Sequence, residues 1–131
     1  MKALLRRLHA PVYERRQRSL LRLIGGCLPL GESLLDIGCG SGTLSSALAK
    51  ERGLEARGLE THPRKQCAIP VDPYDGETIP HGDNSFDNVL LADVLHHEED
   101  PLRLLEEACR VAARRVIVKD HKTGSILAWP R

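Results

Sequence analysis

The chain is predicted to fold as an α/β domain, a doubly wound and mostly parallel sheet of about five strands with helices on both faces. Three observations predict this. Strand-like and helix-like patterns alternate along the chain, the signature of a parallel sheet joined by helical crossovers. An apolar run, a glycine-rich turn and a helix start follow one another without a break over residues 34–45, LLDIGCGSGTLS. The length of 131 residues, 41% hydrophobic and 28% charged, supplies one hydrophobic core and not two.

Taken in order, residues 13–25 set Leu20, Leu21, Leu23 and Ile24 among arginines and end at Gly25-Gly26, which predicts an amphipathic helix. Residues 1–30 as a whole read as a helical, basic segment within a single domain spanning 1–131. Residues 33–37 (SLLDI) are the first strand. A helix over about 43–52 follows the glycine turn, with Leu44, Ala47 and Leu48 on one face and Gly53 at its C′ position. Residues 54–60 (LEARGLE) form the second strand, ending on an acid. The third is placed at 67–71 (CAIPV), although Pro70 has no N–H to give a sheet.

Residues 72–85, rich in Asp, Gly and Pro, read as a loop, and 86–92 (FDNVLLA) as a buried fourth strand. Asp100 caps the next helix with Pro101 in its first position, and Leu102, Leu105, Cys109 and Ala112 are expected to line its buried face. A fifth strand is expected at 115–119 (RVIVK).

Composition excludes several functions. Aromatic residues are only 3% of the chain, which argues against a nucleic-acid module that stacks bases on rings. Residues 1–24 carry Lys2, Arg6, Arg7, Arg15, Arg16, Arg18 and Arg22 against Glu14 alone, although the whole chain is only +1. A solvated helix face is favoured over an anionic partner for this stretch. Cys27, Cys39, Cys67 and Cys109 form no C-x-x-C pair and no zinc-ligand spacing. They are expected to be reduced, as in a cytoplasmic protein, with Cys39 and Cys109 buried. No run of 18 apolar residues predicts a membrane span, and the basic N-terminus lacks the apolar core of a secretory signal.

The glycine turn carries the strongest functional signal. Gly38, Gly40 and Gly42 alternate between a strand that ends near Asp36 and a helix start whose open N–H groups face a ligand. A dinucleotide site prefers G-x-G-x-x-G/A, yet here Thr43 holds the last place. Glu60, at the end of the second strand, is placed to accept hydrogen bonds from ribose hydroxyls. Asp75-Gly76, after the third, could set a carboxylate near an adenine amino group.

LLDIGCGSG, the acidic strand end and YDGETIPHGDNSFDNVLLADVLHH together resemble class I S-adenosylmethionine-dependent methyltransferases of the ubiquinone-biosynthesis-type and "type 11" group. The resemblance runs from about residue 33 to residue 121 and implies a Rossmann-like fold. It implies that Asp36, Gly38, Gly40 and Gly42 surround the methionine part of S-adenosyl-L-methionine, with Glu60 at the ribose and Cys39 and Thr61 among the cofactor-binding residues. It likewise implies Asp75 and Gly76 near the adenine, and Ala92 and Asp93 lining the pocket. The family adds two further strands, the last antiparallel beside strand five, whereas this sequence reaches Arg131 soon after RVIVK and is expected to lack them.

The expected activity is methyl transfer to a small-molecule acceptor that the sequence does not identify. The alternative is an S-adenosylmethionine-binding module without independent catalysis, truncated or dependent on a partner. A nicotinamide-binding domain is disfavoured by the G-x-G-x-G spacing.

Methyl transfer from a sulfonium asks mainly for in-line positioning and exclusion of water, with a general base only if the acceptor must lose a proton early. Asp93, His96 and His97 follow strand four, and Asp120 and His121 follow strand five, all on the ligand side of such a sheet. Each histidine reads first as a cap or a solvent-facing residue, and no catalytic dyad is legible. The run HHEED (96–100) predicts no metal, because adjacent residues rarely converge on one ion. With the last strands missing, RVIVK would be an open edge, and Ile126, Leu127 and Trp129 of the tail 124–131 would cover it or pack on a second subunit.

Overall fold

The structure is a computed structural model that describes residues 2–121. Its elements are α1 (Lys2–Gly25), β1 (Ser33–Ile37), α2 (Thr43–Arg52), β2 (Glu55–Glu60), β3 (Val71–Pro73), β4 (Phe86–Ala92), a 3₁₀ turn (Leu95–His97), α3 (Pro101–Val111) and β5 (Ala112–Lys119). The strands form one sheet in the order β3-β2-β1-β4-β5. Every pairing in it is parallel. The chain starts in the middle, winds outward to β3, then crosses to β4 on the other side of β1. That reversal opens a crevice beyond the carboxyl ends of β1 and β4, where sheets of this kind bind ligands.

Both faces of the sheet are covered, which is why its strands read as near-continuous apolar runs. On one face Leu35, Ile37, Leu59, Val89 and Leu91 pack against Leu104, Ala108 and Val111 of α3, with Ile79 and Phe86. On the other, Leu34 and Leu90 meet Ile24 and Leu28, Leu48 of α2, and Leu54. At the amino end of the sheet the fully buried Asn88 donates to Glu32 Oε2 (2.9 Å) and accepts from Arg115 (2.9 Å), so β1, β4 and β5 are fixed in register away from the site.

Four expectations are corrected. The helix placed at 13–25 runs back to Lys2, through Pro11, within the segment 1–30 read as helical, because Lys, Ala, Leu and Arg there are strong helix formers. The third strand is Val71–Pro73 and not 67–71. Residues 67–69 are engaged elsewhere: Ala68 N–H donates to Ser41 O (2.8 Å) and Ile69 packs on Gly42, and the chain reaches β2 only at Pro70, whose carbonyl accepts the Gly58 N–H (2.9 Å). Helix α3 buries Leu104, Ala108 and Val111, with Leu105 and Ala112 of the expected stripe packed at the margin of the core, whereas Leu102 is 64% exposed and Cys109 lies on the surface. The helix is tied by Arg110 and Glu107, which bond the backbone of Ile79 and His81.

The fourth correction is at β5, which begins at Ala112 directly from α3, with no loop between them. It is the outermost strand described, and Val118 is 46% exposed on it. The residues expected to cover this edge, Ile126, Leu127 and Trp129, lie outside the described residues. All four cysteines are free; Cys39 is half-buried rather than buried. No described helix is long and apolar enough to cross a membrane.

Candidate functional site

The glycine turn is built as the alternation demands. Gly38 and Gly42 both have positive φ (+68° and +76°), and a Cβ on either would lie 2.7 Å from Val94 or 2.5 Å from Ile69. Those two glycines serve the protein's own packing. Gly40 (φ +59°) differs: a Cβ there would meet nothing within 4 Å except the guanidinium of Arg64, the far end of an exposed side chain. The open face of the turn is therefore at Gly40, where a ligand can approach the backbone. Arg64 was not foreseen, because nothing in its local sequence relates it to the turn.

Glu60, at the carboxyl end of β2, accepts the Gly40 N–H on Oε1 at 2.6 Å. The carboxylate thus borders the turn at the point where it opens. Asp36 has a different setting. It is buried, and its Oδ2 accepts from Ser45 Oγ at 2.6 Å, joining the end of β1 to the first turn of α2. Burial pushes its carboxyl up to about 7, against the hydrogen bond from Ser45 and helped by the nearby Glu60. Asp36 thus holds the turn from beneath. The Cys39 thiol, lodged against Gly58, is pushed up to about 12 by burial and then by Asp36 and Glu60, which disfavours its thiolate.

The loops after β2 and β3 meet beside Glu60. A Cβ on Gly76 would lie 3.3 Å from the Thr61 methyl, and Thr61 Oγ1 shares a hydrogen bond with His62 Nδ1 (3.2 Å). Asp75 Oδ1 accepts the N–H groups of Glu77 and Thr78, each at 2.8 Å, and these bonds hold its carboxyl below the usual range. A cavity of about 350 Å³ opens here, bounded by Asp75, Gly76, His97 and Leu104. A second, of about 320 Å³, lies between α1 and the turn, bounded by Gln17, Leu21, Cys39 and Leu44.

The third part of the site lies at the ends of β4 and β5. The parallel register sets Ala92 opposite Lys119, so the residues after the two strands meet. Asp93, held in the left-handed region (φ +58°), receives Lys119 Nζ on both oxygens (2.7 and 2.8 Å) and His121 Nε2 at 3.3 Å. His96 is engaged by Asp120 twice: Nδ1 lies 2.5 Å from Oδ1, and the backbone N–H donates to Oδ2 at 3.0 Å. Burial alone would raise the Asp120 carboxyl. The His96 side chain and the N–H groups of His121 and His96 outweigh it and hold the carboxyl below its ordinary value. The rings of His97 and His121 stand 3.8 and 5.7 Å from His96.

All four candidate catalytic residues, Asp93, His96, His97 and His121, are therefore gathered in one place. A carboxylate–imidazole couple that the sequence did not disclose stands among them. Its members are 24 residues apart, and only the β4–β5 register joins them.

The sequence profile of a family described as a methyltransferase domain matches residues 35–118. Norajmaline N-methyltransferase of Rauvolfia serpentina is 30% identical over 95 residues, covering 63% of this chain and 32% of the relative. A ubiquinone biosynthesis O-methyltransferase of Methylobacterium nodulans is 36% identical over 89 residues, covering 59% of this chain and 35% of the relative. The chain thus spans about a third of the length of the curated relatives it matches. Among solved structures, an S-adenosylmethionine-dependent methyltransferase from Aquifex aeolicus superposes with a TM-score of 0.66 at 23% identity, over 87% of this chain and 68% of that one. That likeness establishes the Rossmann-like fold, and the profile match establishes the family: the chain belongs to the methyltransferase domain family.

Proposed function

We propose that this protein binds S-adenosylmethionine and transfers a methyl group to a small-molecule acceptor. The observation that carries the reading is the open face of Gly40 bordered by the Glu60 carboxylate. Together they suit a nucleoside whose ribose hydroxyls bond Glu60 while its amino-acid part lies along Gly38, Cys39, Gly40 and Gly42. Asp36 acts through Ser45 by fixing the turn. Thr61, Asp75 and Gly76 border the adenine end, and Ala92 and Asp93 form the wall toward the acceptor.

When bound, the cofactor supplies an electrophilic methyl carbon on a sulfonium. The chain's own part is to hold the reactants in line and to exclude water. Helix α1 contributes to this by closing the turn with Gln17 and Leu21. Family membership supports the reading, as do the names of the relatives, which are methyltransferases. The four free cysteines suit a reducing cytoplasm. The exposed edge at β5 suits self-association, which light scattering over a range of concentrations tests directly.

Calorimetric titration with S-adenosylmethionine, S-adenosylhomocysteine and NAD is the first test: the first two bind and the third does not. Binding of NAD alone would overturn the reading. A mass-spectrometric search for methylated products then separates an enzyme from a binding module that needs a partner.

A further inference from the structure

We propose that Arg64 pairs with the α-carboxylate of the cofactor, so that the site takes S-adenosylmethionine and its demethylated product and discriminates against their decarboxylated forms. The proposal rests on the methyl-transfer reading above and adds to it one residue and one specificity.

The path of the chain after β2 carries the case. Two parallel strands are usually joined by a helical crossover. Residues 61–70, between β2 and β3, contain no helix and run along the glycine turn instead. Ala68 N–H donates to Ser41 O at 2.8 Å, and the buried Ile69 lies only 2.5 Å from where a Cβ on Gly42 would fall. The Cys67 thiol, one residue before this anchor, donates to the carbonyl of Arg64 at 3.4 Å. The segment is thus a strap tied to the turn, and Arg64 is held on it.

The strap delivers Arg64 to the open face of the turn. Its Nη2, Cζ and Nη1 stand 3.5, 3.7 and 4.0 Å from the position a Cβ on Gly40 would take. Both terminal nitrogens, the fork that matches a carboxylate, therefore stand over the backbone along which the amino-acid part of the cofactor is laid.

Charge decides which group of that part they meet. The amino-acid part ends in a carboxylate and an ammonium group. Glu60, which accepts the Gly40 N–H at 2.6 Å, repels the first and favours the second. Arg64 supplies the opposite sign at the same glycine. Among the described residues its guanidinium forms no ion pair or side-chain hydrogen bond, whereas Arg57, Arg110 and Arg115 are each held by a carboxylate. Its fork is uncommitted. Arg64 is also exposed, so it can turn about its own bonds to seat a ligand without breaking a contact of the core.

Two ligands that differ in one group test the proposal. S-adenosyl-3-thiopropylamine is S-adenosylhomocysteine without its carboxylate, and it keeps the adenine, ribose, sulfur and amine. By calorimetry the wild type is expected to bind S-adenosylhomocysteine roughly tenfold or more tightly than this analogue, the worth of hydrogen bonds to a charged group. In Arg64→Ala the preference should collapse toward unity, through loss of affinity for S-adenosylhomocysteine with affinity for the analogue kept. Arg64→Lys should keep part of it, because lysine retains the charge and loses the fork. Lys65→Ala, which removes the neighbouring exposed cation, should leave the preference unchanged.

An unchanged urea-unfolding midpoint certifies that each variant is folded, and Arg64→Gln provides a second replacement at the key position. Equal binding of the two ligands by the wild type overturns the proposal, as does a preference that survives in Arg64→Ala and Arg64→Gln. Equal weakening of both ligands in these variants would show the strap to be structural, and tighter binding of both would show Arg64 to be an obstruction. Either result overturns the proposal too. Failure of the wild type to bind S-adenosylhomocysteine overturns the methyl-transfer reading instead, so the two failures are distinguishable.

Discussion

Replacing Asp36 with asparagine should stabilise the protein at neutral pH, and the size of the gain should depend on pH in a defined direction. Asp36 is 3% exposed, and burial raises its carboxyl from 3.8 to about 7. Between those values the unfolded chain has released the proton while the native chain still holds it. The native state then binds more protons, so this residue's contribution to stability falls as pH rises through the window. Its cost is absent below about pH 4 and complete above about pH 7. A displacement of about three units at about 1.4 kcal/mol per unit gives a cost on the order of 4 kcal/mol.

Asparagine is neutral throughout and keeps an oxygen to accept from Ser45 Oγ. The difference in unfolding free energy between Asp36→Asn and wild type should therefore start near zero or slightly negative near pH 4 and grow toward neutrality. Urea unfolding followed by far-UV circular dichroism at half-unit steps of pH measures it. A difference that stays flat, or that shrinks as pH rises, would refute the reasoning and show Asp36 to be ionised without penalty.

Other outcomes follow from the same geometry. Glu60→Ala should weaken binding of S-adenosylhomocysteine by roughly 1.5–3 kcal/mol, the worth of hydrogen bonds to a charged group; unchanged affinity by calorimetry would place the ribose elsewhere. Gly40→Val should abolish that binding, because its side chain fills the open space beside Arg64, and at φ +59° the β-branched residue should also cost roughly 1–3 kcal/mol of stability in urea unfolding. Gly42→Ala should act through the protein's own packing. Its Cβ would fall 2.5 Å from Ile69 at a positive φ, costing roughly 1–3 kcal/mol of stability in urea unfolding. Arg110→Ala removes a guanidinium that bonds Glu107, Asp83 and the carbonyls of Ile79 and His81. Hydrogen exchange should then speed up over residues 79–85, while α2 keeps its protection.

What the sequence determined by itself was whatever neighbouring residues decide among themselves. The order strand, turn, helix over residues 33–52 follows from an apolar run, alternating glycines and a terminal glycine. Gly53 indeed takes the left-handed conformation (φ +63°) that ends α2. Asp100 caps α3 as expected, accepting the Arg103 N–H at 3.1 Å, and FDNVLLA forms β4 with the limits read from its composition. The glycine turn and Glu60 could be linked from sequence because the residues bordering such a site sit at the ends of adjacent strands in a known order.

The tertiary structure alone decided the rest, since the relevant energies depend on partners far along the chain. Residues 67–69 look like part of a strand but are held by Ser41 and Gly42, which moves β3 onward to Val71. On α3 the residues buried deepest are Leu104, Ala108 and Val111, in a helix tied by Arg110 and Glu107 to the loop at 79–83. Asp36, read as a ligand contact, became a buried support once Ser45 turned toward it. His96 and Asp120, separated by 24 residues, became a pair only because β4 and β5 align Ala92 with Lys119. Local pattern is written in spacing; register and burial are settled by the whole chain, and here they brought His96 and Asp120 together.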